Sequence, residues 1–400
     1  MAVASSPRAA AATDDLDPIG IARRLAEALA QGAGPRDRRG GTPKRERDAI
    51  RESGLLRLGI PRELGGMGAP WPTLFEAVRA VATADGSLGQ LFGFHHVICA
   101  TCRLFGSKEQ WQSLLSETAR QGWFWGNTLN PLDRRLSLHR TASGLRLRGV
   151  KSYTTGASDS DMLLVSAIDD ETERLVVAAL PTRRRGIEVY DDWDNIGQRL
   201  TDSGSTSFDD VELYESEILG PPGPLGSTFA TLRSCVAQLT FVNVYVGLAR
   251  GALAEAAPYT KARTRAWPGS GVEHASDDPY VLEHFGNIWL QLVAAATTAD
   301  RAAHVLQDAW DLEEALTPEQ RGEVALTVAA AKVVSSRAVL DIASRIFEAT
   351  GAGATTMHWH LDRFWRNART LTLHDRLDYK VRELGDWALN GRIPTPSFYS

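Results

Sequence analysis

The sequence predicts an α+β protein built in three blocks: helices first, then a small β-domain, then a helical bundle. Three observations carry this. Apolar residues recur at helical spacing to about residue 120. Between about 121 and 220 the pattern changes to short apolar runs separated by turn signals. From about 223 onward, four long helical periodicities return, which favours a bundle. A chain of 400 residues suits two or three cores rather than one. The expected divisions are a disordered tail over 1–15, a helical domain over 16–120, a β-domain over 121–222 and a four-helix bundle over 223–400.

In the first block, Met1 to Asp14 is rich in Ala and Ser. It lacks the cationic start and apolar run of a secretory signal, so a disordered tail is expected. Helical periodicity covers Ile19–Leu29, Ala49–Leu58, Leu74–Val81 and Leu88–Leu104. Ser107 followed by Gln110 three residues later is a capping-box start. Arg36–Arg47 is charged and contains glycine, and reads as a linker with a solvated basic face.

In the second block, Leu145–Val150 alternates after the turn Ala142-Ser143-Gly144, and Met162–Ile168, Leu175–Leu180 and Ser205–Val211 are further strand candidates. Pro221-Pro222-Gly223-Pro224 then breaks the chain. In the third block, helices are expected over Phe229–Thr260, Pro279–Asp311, Thr317–Thr350 and Leu377–Leu389. Thr317-Pro318-Glu319-Gln320 supplies an N-cap, a first-turn proline and a capping-box glutamine.

Composition excludes several classes. A net charge of −5 offers no general attraction to nucleic acid or anionic membrane. Three cysteines imply no disulfide framework and fit a reducing cytoplasm. The best membrane candidate, Val236–Leu253, is interrupted by Gln238, Asn243, Gly247 and Arg250 and reads as a buried bundle helix. Cys99 and Cys102 form a lone CxxC in an apolar helix, read as buried thiols. His358-Trp359-His360 has no partner at metal-site spacing, so no metal is assigned. Gly351-Ala352-Gly353-Ala354 follows a helix and reads as its cap and turn, not a dinucleotide loop. Two features point to chemistry. They are His95-His96 within Leu91-Phe92-Gly93-Phe94-His95-His96, and His374-Asp375 before the last helix. A lone helical histidine is more often a hydrogen-bonded core residue than a catalyst. Most of the eleven tryptophans belong to the core, though a flat ligand also needs such walls.

Longer segments carry a resemblance. They are Ala84-Asp85-Gly86-Ser87-Leu88-Gly89-Gln90, Gly126-Asn127, Asp191-Asp192-Trp193 with Ile196-Gly197, and Thr201-Asp202-Ser203-Gly204-Ser205-Thr206. Asp362 to Thr370 (DRFWRNART) follows, with Leu373-His374-Asp375 and the ending Leu389 to Phe398. The chain resembles the acyl-CoA dehydrogenase superfamily, most closely the two-component flavin monooxygenases of the dibenzothiophene monooxygenase type. The resemblance implies an acyl-CoA dehydrogenase-like fold with flavin between the β-domain and the bundle. It places His95 at the substrate pocket, with Asn127 and Thr155 beside the flavin and oxygen, and Trp193 and Ser205 at the flavin's side. His374 falls where relatives support a flavin C4a-hydroperoxide. Phe92, Phe94 and Trp123 then supply apolar pocket walls that keep water out. Arg263 and Arg265 stand as phosphate partners, through a neighbouring subunit.

Two departures accompany it: Leu371 stands where relatives have a second histidine, and Glu283 where some have an arginine near the flavin phosphate. FMN and FAD therefore both remain open. The implied activity is insertion of one oxygen atom from O2 into a heteroaromatic of indole or thiophene type. Reduced flavin (FMNH2 or FADH2) comes from a separate reductase. The alternative is a flavin-dependent acyl-CoA-type dehydrogenase, but its catalytic glutamate and Thr-Glu…Gly-Ser-Asp segment are not found. A homotetramer is expected from the resemblance and from the apolar stretch Ala325–Val339.

Overall fold

The computed structural model describes residues 17–400; the tail expected over 1–15 lies outside them. Six helices open the chain: α1 Pro18–Ala30, α2 Ala33–Arg39, α3 Lys44–Glu52, α4 Trp71–Ala84, α5 Gly86–Phe105 and α6 Lys108–Gln121. Their starts follow local chemistry. The Asp85 carboxylate accepts from the Ser87 and Leu88 amides at the start of α5. Ser107 and Gln110 form the expected capping box on α6. Helix α5 is buried almost all round, so no single face of it is marked by its pattern.

The stretch expected as a solvated basic linker is different. It forms α2 and the start of α3, and Arg36, Asp37 and Arg47 are buried. Arg36 pairs with Asp85 at 2.9 Å. Arg47 reaches Asp202 at 3.4 Å, donates to Gly156 O at 3.0 Å and lies 4.2 Å over the Phe124 ring. Partners 49 residues away for Arg36 and more than a hundred away for Arg47 make this burial tolerable; local periodicity carries no trace of them.

Seven strands follow: β1 Trp125–Thr128, β2 Leu136–Thr141, β3 Gly144–Lys151, β4 Met162–Asp169, β5 Leu175–Pro181, β6 Ile187–Val189 and β7 Thr206–Leu213. The sheet order is β1-β4-β2-β3-β7-β6, with β5 on the other edge of β4. Strands β3, β4, β5 and β7 match the expected runs, whereas β1, β2 and β6 were not anticipated. β1 is four residues long and buried on both faces, so it shows no alternation. Register slips between Leu147 and Gly149. Gly149 has φ +134°, and a Cβ there would lie 2.0 Å from Arg135 O, so only glycine fits this bulge. The sheet has its own core, including Leu138, Leu147, Leu163, Leu180 and Phe208.

The remaining helices are α7 Leu232–Arg263, α8 Pro279–Asp311, α9 Pro318–Thr350, α10 Asp362–Leu371 and α11 Leu377–Asn390. Thr317 and Gln320 cap α9 as expected. One apolar cluster runs continuously through α1, α4, α5, α7, α8 and α9. Helix α7 is long and apolar enough to cross a bilayer, but its apolar window is wholly buried inside the protein, as Val236–Leu253 suggested. The surplus apolar surface expected on Ala325–Val339 is not there, because α7, α8, α10 and α11 all pack on α9 and use it. It lies instead on α8, where Leu282, Trp289, Leu290 and Val293 are exposed.

Candidate active site

The three blocks meet around a cavity of about 920 Å³. Helix α5 contributes Gln90 and Phe94, and the end of β1 contributes Asn127 and Leu129. The loops flanking the sheet bring Tyr153, Thr155, Trp193, Gln198, Thr201 and Ser203. Helix α7 supplies Arg233, Ser234, Gln238 and Phe241, the end of α10 supplies Arg369 to Leu371, and the α10–α11 turn supplies Leu373, His374 and Asp375. Phe398 and Tyr399 close one side.

His374 sits on this cavity with its ring 4.6 Å from that of Phe241. Its Nδ1 lies 3.2 Å from Asp375 Oδ1, and Asp375 also pairs with the buried Lys332 ammonium. Burial alone would raise the Asp375 carboxyl. The hydrogen bond from His374 and the charge of Lys332 outweigh it and hold the carboxyl well below the usual range. An ionised Asp375 accepts from His374 Nδ1–H and so fixes the orientation of the ring. The outer Nε2 has no partner among the described residues.

A hydroxyl chain crosses the opposite wall. Trp193 Nε1 donates to Gln198 O at 2.7 Å and Thr201 Oγ1 donates to the same oxygen at 2.9 Å. Thr201 and Ser203 hydroxyls are 2.8 Å apart, as are those of Ser203 and Thr155. With Thr201 committed to Gln198 O, Ser203 donates to Thr201 and Thr155 to Ser203. Thr155 then presents a lone pair to the cavity. The turn that carries Thr201 and Ser203 is anchored by Asp202, at φ +47°, bound to Arg47 and Thr42. Burial raises the Asp202 carboxyl to about 6 despite Arg47.

Two acyl-CoA dehydrogenase domain families match this chain: the N-terminal domain over residues 21–122 and the C-terminal domain over 239–379. The probable FMNH2-dependent monooxygenase SfnC of Pseudomonas putida is 50% identical over 383 residues, covering 96% of this chain and 97% of SfnC. The structure of methanesulfinate monooxygenase MsuC from Pseudomonas fluorescens superposes with a TM-score of 0.95 at 51% identity, covering 96% of this chain and all of MsuC. The dibenzothiophene monooxygenase TdsC from Paenibacillus sp. A11-2, in complex with FMN and indole, superposes at 0.93 and 43% identity, over 96% of this chain and 100% of TdsC. The chain belongs to the acyl-CoA dehydrogenase family, among its flavin-dependent monooxygenases.

The cavity of this flavoenzyme suits its cofactor. Gln90 Oε1, Asn127 Oδ1, Gln198 Oε1 and Thr370 Oγ1 are buried without a partner among the described residues. All four residues line the cavity, and unsatisfied buried amides and hydroxyls of this kind call for a polar ligand. A flavin ring carries matching carbonyl and N–H groups on its pyrimidine edge. The Arg369 side chain, also on the cavity, has no ion pair among the described residues.

Of the residues expected at the site, Asn127, Thr155, Trp193, His374 and Phe94 come together here. Others do not. His95 is fully buried, with Nε2 2.7 Å from Leu56 O and Nδ1 accepting from the Trp125 amide at 3.4 Å. Burial lowers its pKa to about 4. Phe92 is likewise buried, edge-on to His96 at 4.9 Å. Trp123 faces a separate hollow beside α6. Ser205 does not line the cavity; its amide donates to Asp192 at 2.7 Å, and Ser203 occupies the wall. Arg263 is exposed over the Trp359 ring and Arg265 bridges to His274, both away from this chain's cavity. Gln90, Ser203, Arg233, Lys332 and Tyr399 were not singled out. The one signal for Lys332 was a lone cation inside an apolar helix, which needs a buried partner.

Proposed function

We propose that this enzyme takes reduced FMN from a separate reductase and inserts one oxygen atom of O2 into a small heteroaromatic of the indole or thiophene type. The observation that carries it is the His374–Asp375–Lys332 row opening onto an aromatic-walled cavity lined with unpartnered amides. Bound reduced flavin supplies the activation of oxygen. Asn127, Gln198 and the Thr155–Ser203–Thr201 chain hold its polar edge. Phe94, Phe241 and Phe398 hold the substrate and exclude water. His374 turns Nε2 toward the reacting oxygen as the group that relays a proton, its ring fixed by Asp375, which Lys332 holds ionised. Indole in the TdsC complex and the dibenzothiophene named for that enzyme support the substrate class.

A homotetramer fits the exposed apolar face of α8. Arg263 or Arg265 of one copy then serves the flavin phosphate of another. A cytoplasmic site suits three free, buried cysteines. The test is a panel of heteroaromatics incubated with a flavin reductase, NADH and oxygen. Mass spectrometry should show a gain of one oxygen atom for at least one. NADH oxidation without any oxygenated product across the panel counts against the substrate class.

A further inference from the structure

We infer that the preferred substrate carries an acidic group, and that Arg233 is the residue that reads it. This rests on the cavity being the oxygenation site. Arg233 follows the first residue of α7 and lines the cavity, yet is only 7% exposed. Its guanidinium has no ion pair and no hydrogen bond among the described residues, and its Nε is unpartnered. The other buried arginines are paired: Arg36 to Asp85, Arg47 to Asp159 and Asp202, Arg79 to Asp300, Arg363 to Glu255, and Arg321 to Thr231 and Ser234. Burial lowers Arg233 to about 10, so it stays charged at neutral pH.

An unpaired buried cation is costly to keep, and a planar fork of donors matches a carboxylate or a sulfinate. Arg233 sits at the closed end. Its cavity neighbours Ser234 and Gln238 are also buried, whereas Leu132, Tyr153 and Ile196 at the mouth are 59–76% exposed. We take this closed end, away from the exposed mouth, as the substrate's; the reduced-FMN arm of the test checks that choice. The Ser234 hydroxyl is taken up by Ser400 O at 2.8 Å and the Gln238 amide by Tyr399 O, so of these three neighbours on α7 Arg233 is the donor left for the ligand. Arg369, the other cation on the cavity without an ion pair among the described residues, is half-buried. The class is a heteroaromatic or aryl acid small enough to stand on the Phe241 wall.

The test uses two probe pairs of matched shape: indole-2-carboxylate against indole-2-carboxamide, and benzenesulfinate against benzenesulfonamide. Binding to the full chain is read by calorimetry, with no flavin present and again with reduced FMN. The wild type should bind each anion at least about tenfold more tightly than its neutral partner, since a site built around a charged donor rejects a ligand that leaves it unpaired. Arg233→Met should abolish that preference while binding the neutral probes as before, and Arg233→Lys should retain part of it. Equal binding of acid and amide by the wild type overturns the proposal, as does a preference that survives Arg233→Met. Weaker reduced-FMN binding by Arg233→Met, with anion preference intact, also overturns it and assigns the arginine to the cofactor. Anion binding without oxygen transfer to any probe would instead count against the oxygenation reading, leaving Arg233's anion selectivity standing.

Discussion

His95→Gln separates a catalytic histidine from a structural one. Neutral His95 donates from Nε2 to Leu56 O and accepts the Trp125 amide at Nδ1. A proton on Nδ1 would face that amide's hydrogen and sit fully buried. The folded pKa falls from 6.5 to about 4 for this reason, burial first. Because the unfolded chain then takes up a proton that the folded chain refuses, the stability is present above pH 6.5. It is lost as pH falls toward 4. The full gap corresponds to about 3 kcal/mol, and about 2 kcal/mol of it is gone by pH 5. Glutamine keeps the bond to Leu56 O and does not titrate. Urea melts at pH 7.5 and pH 5 should show the wild type losing about 2 kcal/mol more than the variant across that range. At pH 7.5 the variant should be weaker by about 1–2 kcal/mol, for the Trp125 amide left without an acceptor. Oxygen-transfer turnover should change less than about threefold, because no group touching the substrate is removed. A turnover loss of about 100-fold with unchanged melts would refute this account and return His95 to the active site.

His374→Ala should keep the fold and reduced-FMN binding while product falls by roughly 100-fold, the scale of a lost positioned proton donor. Hydrogen peroxide should rise in step, measured in the same assay. Thr155→Val removes the lone pair offered to the cofactor. It should weaken reduced FMN, titrated anaerobically by tryptophan fluorescence, by about tenfold, the cost of one buried hydrogen bond. Light scattering should give a tetramer at micromolar concentration, and Trp289→Glu with Leu290→Glu should split it by charging the exposed face of α8.

Much of this architecture is legible in the sequence. Ser107 with Gln110 and Thr317 with Gln320 mark helix starts because a capping box is a local bond. The turn before Leu145 marks a strand for the same reason. The site was legible in part. Gln90 and Phe94 share one face of α5, four residues apart, and His95 lies about 100° further round the helix. Every face of α5 is buried, so its pattern does not tell which one looks into a cavity, and nothing local ranks Gln90 above His95. In the turn Thr201 to Thr206, a single left-handed residue, Asp202, resets which hydroxyl faces inward, and Ser203 replaces Ser205. Arg36 and Arg47 read as solvated because their carboxylate partners lie far along the chain. His374 and Asp375 are adjacent in sequence, but only the turn between α10 and α11 brings Nδ1 to Oδ1.

The central claim is that this cavity transfers an atom of molecular oxygen rather than removing hydrogen from a thioester. Turnover of a heteroaromatic under oxygen-18 gas, with reductase and NADH, tests it most directly. One labelled oxygen atom should appear in the product, and none when the label is in the water. Unlabelled product, or oxidation of an acyl thioester by a dye in the absence of oxygen, would contradict it.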